Sequence, residues 1–162
     1  MRTARRTGPL AALAIVVVAV AACAPLKSGS GGPSLSFGNA QPQARELFGL
    51  VNSERAANGL GPLGWDGQLG AVAQSWTEHM AATGDFSHQD LNGLLGNPAF
   101  AGFSGLAENI MAGWCGMSAW EIHQSWMNSP LHRANILGNY SAIGIGVACN
   151  GGSIAGVEDF GR

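Results

Sequence analysis

The chain has 162 residues, of which 11% are charged and 46% are hydrophobic. Its length suits one domain with short accessory segments. The apolar content argues against a disordered chain. The shortage of basic residues argues against nucleic-acid binding, because a protein needs a basic face to neutralise phosphates. We therefore expect a folded domain with no nucleic-acid partner.

The amino terminus is predicted to be a targeting segment. Three arginines within the first six residues precede an apolar run of 13 residues, Leu10–Ala22. A membrane-spanning helix needs about 20 residues, so this run has the layout of a cleaved secretory signal. The sequence Val20-Ala21-Ala22-Cys23 resembles the bacterial lipobox, which implies removal of residues 1–22 and lipid attachment at Cys23. The alternative is an ordinary cleaved signal with an incidental cysteine.

Removal of the signal would change the charge of the protein. After Cys23 the sequence has 5 basic and 10 acidic residues, a net charge of 5 − 10 = −5. An acidic protein gains little from anionic lipid headgroups, so we expect any membrane attachment to be covalent or hydrophobic.

The segment between the lipid and the domain is predicted to be a flexible linker. Ten of the 18 residues in 24–41 are Gly, Ser or Pro, without apolar periodicity. Such a composition is typical of a flexible tether. We therefore divide the chain into the signal at 1–22, the lipidated Cys23 with its linker at 23–41, and a folded domain at 42–162.

Two cysteines remain after Cys23, and they are Cys115 and Cys149. An even number of cysteines in an exported protein predicts a disulfide. It would close a loop of about 34 residues and contribute about 3–4 kcal/mol. Two free thiols are the alternative.

Three helices are predicted. The first covers Pro42–Ala57, and the second is capped by Asp66 and ends at Gly84. Residues 85–107 contain many Gly, Asn and Pro residues and are predicted to form a long loop. The third helix begins at Ser118, whose spacing to Glu121 matches a capping box, and ends at 128–130.

Two strands are predicted to close the chain. Ile143, Ile145 and Val147 alternate with small residues, and 154–160 follows after the turn at 150–153. Helices followed by paired strands indicate an α+β fold with helices against an antiparallel sheet.

Three residues are candidates for chemistry, and they are His88, Glu108 and His132. Each is predicted to lie in or beside a loop. Histidines near a carboxylate can bind a metal or transfer protons. The spacing in sequence does not fix whether the three converge, and the alternative is three separate residues with backbone hydrogen bonds.

The domain resembles the bacterial branch of the CAP superfamily, which unites cysteine-rich secretory proteins, antigen five and pathogenesis-related proteins. The resemblance covers residues 44–161 and includes the segments DFSH, AENIMAGW, SAWEIHQSWMNSPLHRANILGNYSAIGIGVACN and GVEDFG. It implies an α-β-α sandwich with a central antiparallel sheet.

The resemblance also implies a cleft of two histidines and glutamates. His88 and His132 match the histidines and Glu108 matches the first glutamate, whereas Ser129 stands where the second glutamate would be. Glu121 is not a substitute, because it is predicted to be a helix cap. Family clefts bind zinc or another divalent cation through the histidines, with Glu108 as a third ligand or a group that orients water. Asn135 and Arg133 are predicted to fix the segment that presents His132.

The remaining histidines and tryptophans are predicted to be structural. His79 and His123 are expected on the surface, and Trp76 and Trp126 in the core. Trp114 is expected to pack on the disulfide beside it.

These predictions together describe a lipid-anchored envelope protein that faces away from the cytoplasm. We expect a binding module whose cleft holds a divalent cation and a lipid, peptide or glycan ligand. The alternative is a metal-assisted hydrolase, a peptidase or nuclease, with His88, Glu108 and His132 as catalytic residues. A third hypothesis is a structural protein with a vestigial cleft. The sequence predicts no oligomeric state.

Overall fold

The computed structural model describes residues 41–162. The predicted signal, the lipid-bearing Cys23 and the linker up to residue 40 lie outside the described residues. Within 41–162, no helix has the length and apolar character required to cross a membrane.

The described part forms five α-helices around a four-stranded sheet. In chain order the elements are α1 (Pro42–Ala57), β1 (Gly64–Trp65), α2 (Gly67–Thr83), α3 (Leu91–Leu95), a 3₁₀ turn (Pro98–Phe100), β2 (Leu106–Trp114), α4 (Ala119–Met127), α5 (Pro130–Ile136), β3 (Ala142–Asn150) and β4 (Ser153–Gly161). The strand order is β1-β3-β4-β2, and only the two-residue β1 pairs in parallel. The predicted α+β class with a central antiparallel sheet is confirmed.

The sheet separates two helical layers. Gly144 and Gly146 of β3 let α2 approach one face so closely that a Cβ atom at either position would collide with its backbone. The larger core lies on the opposite face, where Ile143, Ile145 and Phe160 pack with α1 and α4. This three-layer arrangement is the predicted sandwich.

The predicted start signals of two helices are confirmed. The Asp66 carboxylate accepts hydrogen bonds from the backbone N–H groups of Gln68 and Leu69, both at 2.9 Å. Ser118 and Glu121 form the complete capping box at the start of α4. Gly84 follows α2 with a φ of 75°, the left-handed conformation that favours glycine.

The buried face of α4 differs from the prediction. His123 is 3% exposed, so its predicted surface position is wrong, whereas Trp120 on the same helix is 57% exposed. Trp126 is fully buried, as predicted. His123 lies on the same face of α4 as Ile122 and Trp126, and this face packs toward α1. Burial lowers the pKa of His123, which keeps the ring neutral.

The prediction of one loop over 85–107 is partly wrong. The segment contains α3 and the 3₁₀ turn, and β2 begins at Leu106. Residues 108–111 of β2 are all buried, because the strand is covered on both faces. Such a strand lacks the alternation of polar and apolar residues by which a half-exposed strand is recognised.

The chain also forms a helix where an irregular segment was expected. The prediction ends the third helix at 128–130, but α5 begins there with Pro130 in its first turn. His132 therefore lies on a helix, and its predicted position in or beside a loop is wrong. The helix has seven residues, too few for an apolar periodicity to stand out.

Two cross-links hold distant parts of the domain together. The predicted disulfide between Cys115 and Cys149 is confirmed and joins the ends of β2 and β3, with Cα atoms 5.5 Å apart. At the other end, buried Arg55 donates hydrogen bonds to the carbonyl oxygens of Gly61, Ile136 and Gly138 at 2.8–2.9 Å. Its guanidinium ties the end of α1 to the end of α5.

Candidate functional site

The candidate site lies on the edge strand β2. Glu108 is paired with Asp159 of β4, and Asn109 is paired with Glu158. Because successive residues of a strand face opposite sides of a sheet, Glu108 points toward the layer of α2 and Asn109 toward the layer of α4 and α5. A strand at the edge can therefore be reached by polar groups from both layers.

His88 and Glu108 are in direct contact. Nδ1 of His88 lies 2.6 Å from Oε1 of Glu108. The histidine side chain is 59% exposed, whereas that of the glutamate is completely buried. Because Nδ1 is bound to the carboxylate, Nε2 is the ring nitrogen that the exposed imidazole offers to a ligand.

Gln89 completes the surroundings of the Glu108 carboxylate. Its backbone N–H donates to Oε1 at 3.1 Å, and its side-chain amide donates to Oε2 at 2.6 Å. Each oxygen of Glu108 therefore already accepts a hydrogen bond. This arrangement favours a carboxylate that orients His88 over one that binds a metal directly.

Trp76 anchors the segment before His88. Its indole Nε1 donates to the carbonyl oxygen of Ser87 at 2.8 Å. Its ring is partly buried against the apolar cluster between α2 and the sheet, which agrees in part with its predicted core position. The nearby His79 is exposed, as predicted, and lies 3.5 Å from Asp85.

A network of amides holds His132 beside β2. Nδ2 of Asn109 donates to the carbonyl oxygen of His132 at 3.1 Å. Nδ2 of Asn135 donates to Oδ1 of Asn109 at 2.8 Å and to the carbonyl oxygen of Glu108 at 3.3 Å. The predicted role of Asn135 in fixing this segment is confirmed, whereas Arg133 is exposed.

The imidazole of His132 is kept neutral by its surroundings. Burial lowers its pKa, and repulsion from a protonated His88 lowers it further. Its Nδ1 atom is buried without a hydrogen-bond partner among residues 41–162. A neutral imidazole is the form that binds metal ions. The charge of a protonated His88 thus acts on His132, although the two histidines come from opposite layers.

Two residues considered for the second acidic position add no free carboxylate to the site. Ser129, where the family resemblance places a second glutamate, precedes α5 as its N-cap. The carboxylate of Glu121 is used in the capping box with Ser118. Among the described residues, no group of three or more His, Cys, Asp or Glu is arranged to hold a metal ion. The remaining nitrogen donors of the predicted site are the imidazoles of His88 and His132.

Two buried acids of β4 were not predicted from the sequence. Gln89 donates to both oxygens of Asp159, at 3.0 and 3.2 Å, and so links Asp159 to Glu108. Burial raises the pKa of Asp159 to about 8, and the negative charge of Glu108 acts in the same direction. Glu158 is fully buried, and burial raises its pKa to about 8 despite a hydrogen bond from Asn109. The sequence signal that could have identified them is the presence of two consecutive acidic residues in an otherwise apolar strand.

Exposed apolar side chains flank both histidines. Phe86, two residues before His88, is 54% exposed, and Leu131, adjacent to His132, is 79% exposed. These are two of the largest exposed apolar side chains in the described part of the chain, and both are close to a histidine in sequence.

The structure is thus an α-β-α sandwich with His88 and Glu108 in contact at the edge strand β2 and His132 on the neighbouring helix α5. The family model of the cysteine-rich secretory protein (CAP) family matches residues 48–160. The chain belongs to that family.

Relatives of known sequence or structure agree with this assignment. The chain is 32% identical over 114 residues to the uncharacterised protein YkwD of Bacillus subtilis, covering 66% of this chain and 43% of that protein. A crystal structure of an extracellular protein containing an SCP domain from Bacillus anthracis aligns with a TM-score of 0.62 and 28% identity, covering 74% and 40%. The crystal structure of a cysteine-rich secretory protein from Staphylococcus aureus aligns with a TM-score of 0.58 and 26% sequence identity. The alignment covers 74% of this chain and 39% of that protein. The chain thus spans about two fifths of the length of these relatives.

Proposed function

We propose that this protein is an extracytoplasmic binding module, lipid-anchored through Cys23, whose cleft binds a divalent cation through His88 and His132. The observation that carries the proposal is the 2.6 Å contact between Nδ1 of His88 and the buried Glu108 carboxylate. Histidines that bind metals commonly donate their second N–H to a carboxylate, which fixes the tautomer and directs the other nitrogen outward.

Zinc is the cation that this donor set fits best, although another divalent ion is compatible with it. Two imidazoles would leave two positions of a tetrahedral zinc ion open for other groups. The cation, when bound, would supply a Lewis acid that attracts a carboxylate, phosphate or carbonyl oxygen. Phe86 and Leu131 would contact an apolar part of the same ligand, as a lipid, peptide or modified glycan provides.

The hydrolase hypothesis has less support. A general base needs an oxygen that can take a proton from water. Both oxygens of Glu108 accept hydrogen bonds from Gln89 or contact His88. The missing second glutamate also removes a proton-transfer partner. A binding role requires neither group.

Two observations support a location outside the cytoplasm. The disulfide between Cys115 and Cys149 is of a kind that persists in oxidising compartments. The Bacillus anthracis relative is described as extracellular. The signal and lipobox resemblance of residues 1–23 add the anchor to this proposal.

Zinc calorimetry near pH 7 tests the cleft. We expect wild-type protein to give a saturable heat, which His88→Ala and His132→Ala each abolish. His79→Ala is the matched control, because His79 is also exposed and also lies beside a carboxylate but lacks a second imidazole. Absence of a saturable heat, or equal losses in the control, would remove the cation from the proposal. Wild-type turnover of casein, peptidoglycan or nucleic acid with zinc, lost in His132→Ala, would favour the hydrolase instead.

Metabolic labelling tests the anchor. Bacteria that express the full chain and are fed a radiolabelled fatty acid should incorporate the label into the protein. Cys23→Ser should abolish the incorporation, while Cys115→Ser should retain it. Wild-type protein without label would contradict lipid attachment.

A further inference from the structure

Two large aromatic side chains are exposed far from the cleft. Trp114 is 59% exposed at the end of β2, and Trp120 is 57% exposed in the first turn of α4. Tryptophan is usually buried in a folded protein, so two exposed indoles close together in sequence need an explanation.

The turn between β2 and α4 keeps the two tryptophans at one end of the domain. The N–H of Met117 donates to the carbonyl oxygen of Trp114 at 3.0 Å, which closes the turn. The ring of Trp114 lies over Gly116. Ser118 then caps α4, and Trp120 is the second residue of that helix.

The chain enters the domain at this same end. The side-chain amide of Gln43, in the first turn of α1, donates to the carbonyl oxygen of Met117 at 2.7 Å. Residues 41–43 also line a depression of about 510 Å³ together with Val147, Ala148 and Cys149, at the end of β3 that the disulfide joins to β2. The predicted linker therefore joins the domain beside Trp114 and Trp120.

We propose that Trp114 and Trp120 form a membrane-contact end that rests on the lipid bilayer carrying the Cys23 anchor. This inference rests on the proposed lipid anchor. The 18-residue linker at 24–41 would hold this end at a root-mean-square distance of about 25 Å from the bilayer. At such a distance the effective concentration of membrane is high, so weak insertion of two indoles is sufficient.

The residues at this end are suited to contact the headgroup–acyl boundary of a bilayer, and they are not suited to bind anionic lipid headgroups. Tryptophan favours the boundary between headgroups and acyl chains, where the ring is apolar and the N–H is hydrated. The nearby Glu121 and Glu78 are acidic, and residues after Cys23 carry a net charge of 5 − 10 = −5. Binding by lipid charge is therefore excluded as the main force, and a zwitterionic surface is the expected partner.

This orientation directs the cleft away from the membrane. Glu108 and Trp114 lie on the same strand, six residues apart. At about 3.3 Å per residue, the histidine cleft is about 20 Å from the membrane-contact end. The cleft would then meet ligands from the surrounding medium and not lipids of the membrane to which the protein is attached.

Fluorescence quenching tests the proposal on the full acylated chain. The purified protein is reconstituted into phosphatidylcholine vesicles with or without bromine atoms in the acyl chains, and tryptophan emission is compared. Two of the five tryptophans would contact the brominated lipid, so we expect emission to fall by about a third. The double variant Trp114→Phe/Trp120→Phe should lose this quenching. Trp65→Phe is the matched control and should retain it, because Trp65 lies near the opposite end of β3.

The quenching and labelling results together distinguish failure of the membrane-contact proposal from failure of the lipid-anchor proposal. A chain that carries the fatty-acid label but shows no bromine quenching overturns the membrane-contact end and leaves the anchor intact. A chain without the label refutes the anchor, and the membrane-contact end with it. Quenching that high salt abolishes would contradict an apolar contact. A dimer in detergent that the double variant dissociates, with no quenching in vesicles, would assign the two tryptophans to a second copy of the chain.

Discussion

The side-chain amide of Asn109 donates to Oε2 of Glu158 at 2.9 Å, at a place in the core where Glu158 has no exposed surface. The other oxygen, Oε1, is buried without a hydrogen-bond partner among the described residues. An ionised carboxylate with one partner is expensive to bury, so the group stays protonated and its pKa is raised to about 8.

Glu158→Gln is expected to remove part of the pH dependence of stability. Folded Glu158 keeps its proton up to about pH 8, whereas an unfolded carboxyl group loses it near its ordinary pKa of 4.5. Folding therefore takes up a proton between these pH values, and the free energy of unfolding falls as the pH rises through that window. The stabilising effect of the protonated group is complete only below the unfolded pKa.

Thermal unfolding between pH 4 and pH 9 measures this effect. The variant should melt at least about 10 °C above wild type at pH 8 and close to wild type at pH 4. Glu46→Gln is the control on an exposed glutamate and should follow the wild-type curve. A variant that is equally displaced at every pH would show that Glu158 contributes through packing and not through its proton.

Glu108→Gln is expected to weaken zinc binding without abolishing it. The glutamine keeps the size of the side chain but replaces the charged partner of His88 Nδ1 with an amide. Groups that orient a metal ligand in this way typically change affinity by about 10–100-fold. Calorimetry should therefore place this variant between wild type and His88→Ala. Binding as weak as in His88→Ala would instead indicate that Glu108 is itself a ligand.

Trp76→Phe tests the anchoring of the segment before His88. Phenylalanine preserves most of the apolar packing but cannot donate to the Ser87 carbonyl oxygen. The lost hydrogen bond should cost about 1 kcal/mol in the free energy of unfolding. If Trp76 also positions His88, zinc affinity should fall while the ring signals of His132 in an NMR spectrum stay unchanged. A loss of stability with unchanged zinc affinity would limit Trp76 to a structural role.

The structural features that are predicted correctly are those with a recognisable sequence signal. The Asp66 cap and the Ser118–Glu121 capping box follow from short-range chemistry, and both are confirmed. The Cys115–Cys149 disulfide follows from an even number of cysteines in an exported protein, and it is also confirmed. The β2 strand escapes prediction because it is buried on both faces. The burial of His123 follows from helical spacing, because Ala119, Ile122 and Trp126 lie on the same face of α4.

Sequence motifs predict only part of the candidate site. His88, Glu108 and His132 were identified from motifs, but Gln89 and Asp159 were not. Their roles arise from strand register, which sets Asp159 opposite Glu108 and leaves Gln89 to bridge the two carboxyl groups. The hydrogen bond between Gln89 and Asp159 joins residues 70 positions apart in sequence, so it forms only when the sheet is assembled.

Arg55→Lys should destabilise the domain even though the charge is retained. The guanidinium of Arg55 reaches the carbonyl oxygens of Gly61, Ile136 and Gly138 at once. An ammonium group lacks this planar fork and would leave buried carbonyl groups without donors, which should cost about 2–3 kcal/mol. Urea unfolding of wild type and variant measures the loss, with Arg45→Lys on an exposed face of α1 as the control. Equal midpoints for Arg55→Lys and wild type would mean that the links to the end of α5 contribute little, and that α1 and α5 are held by apolar packing alone.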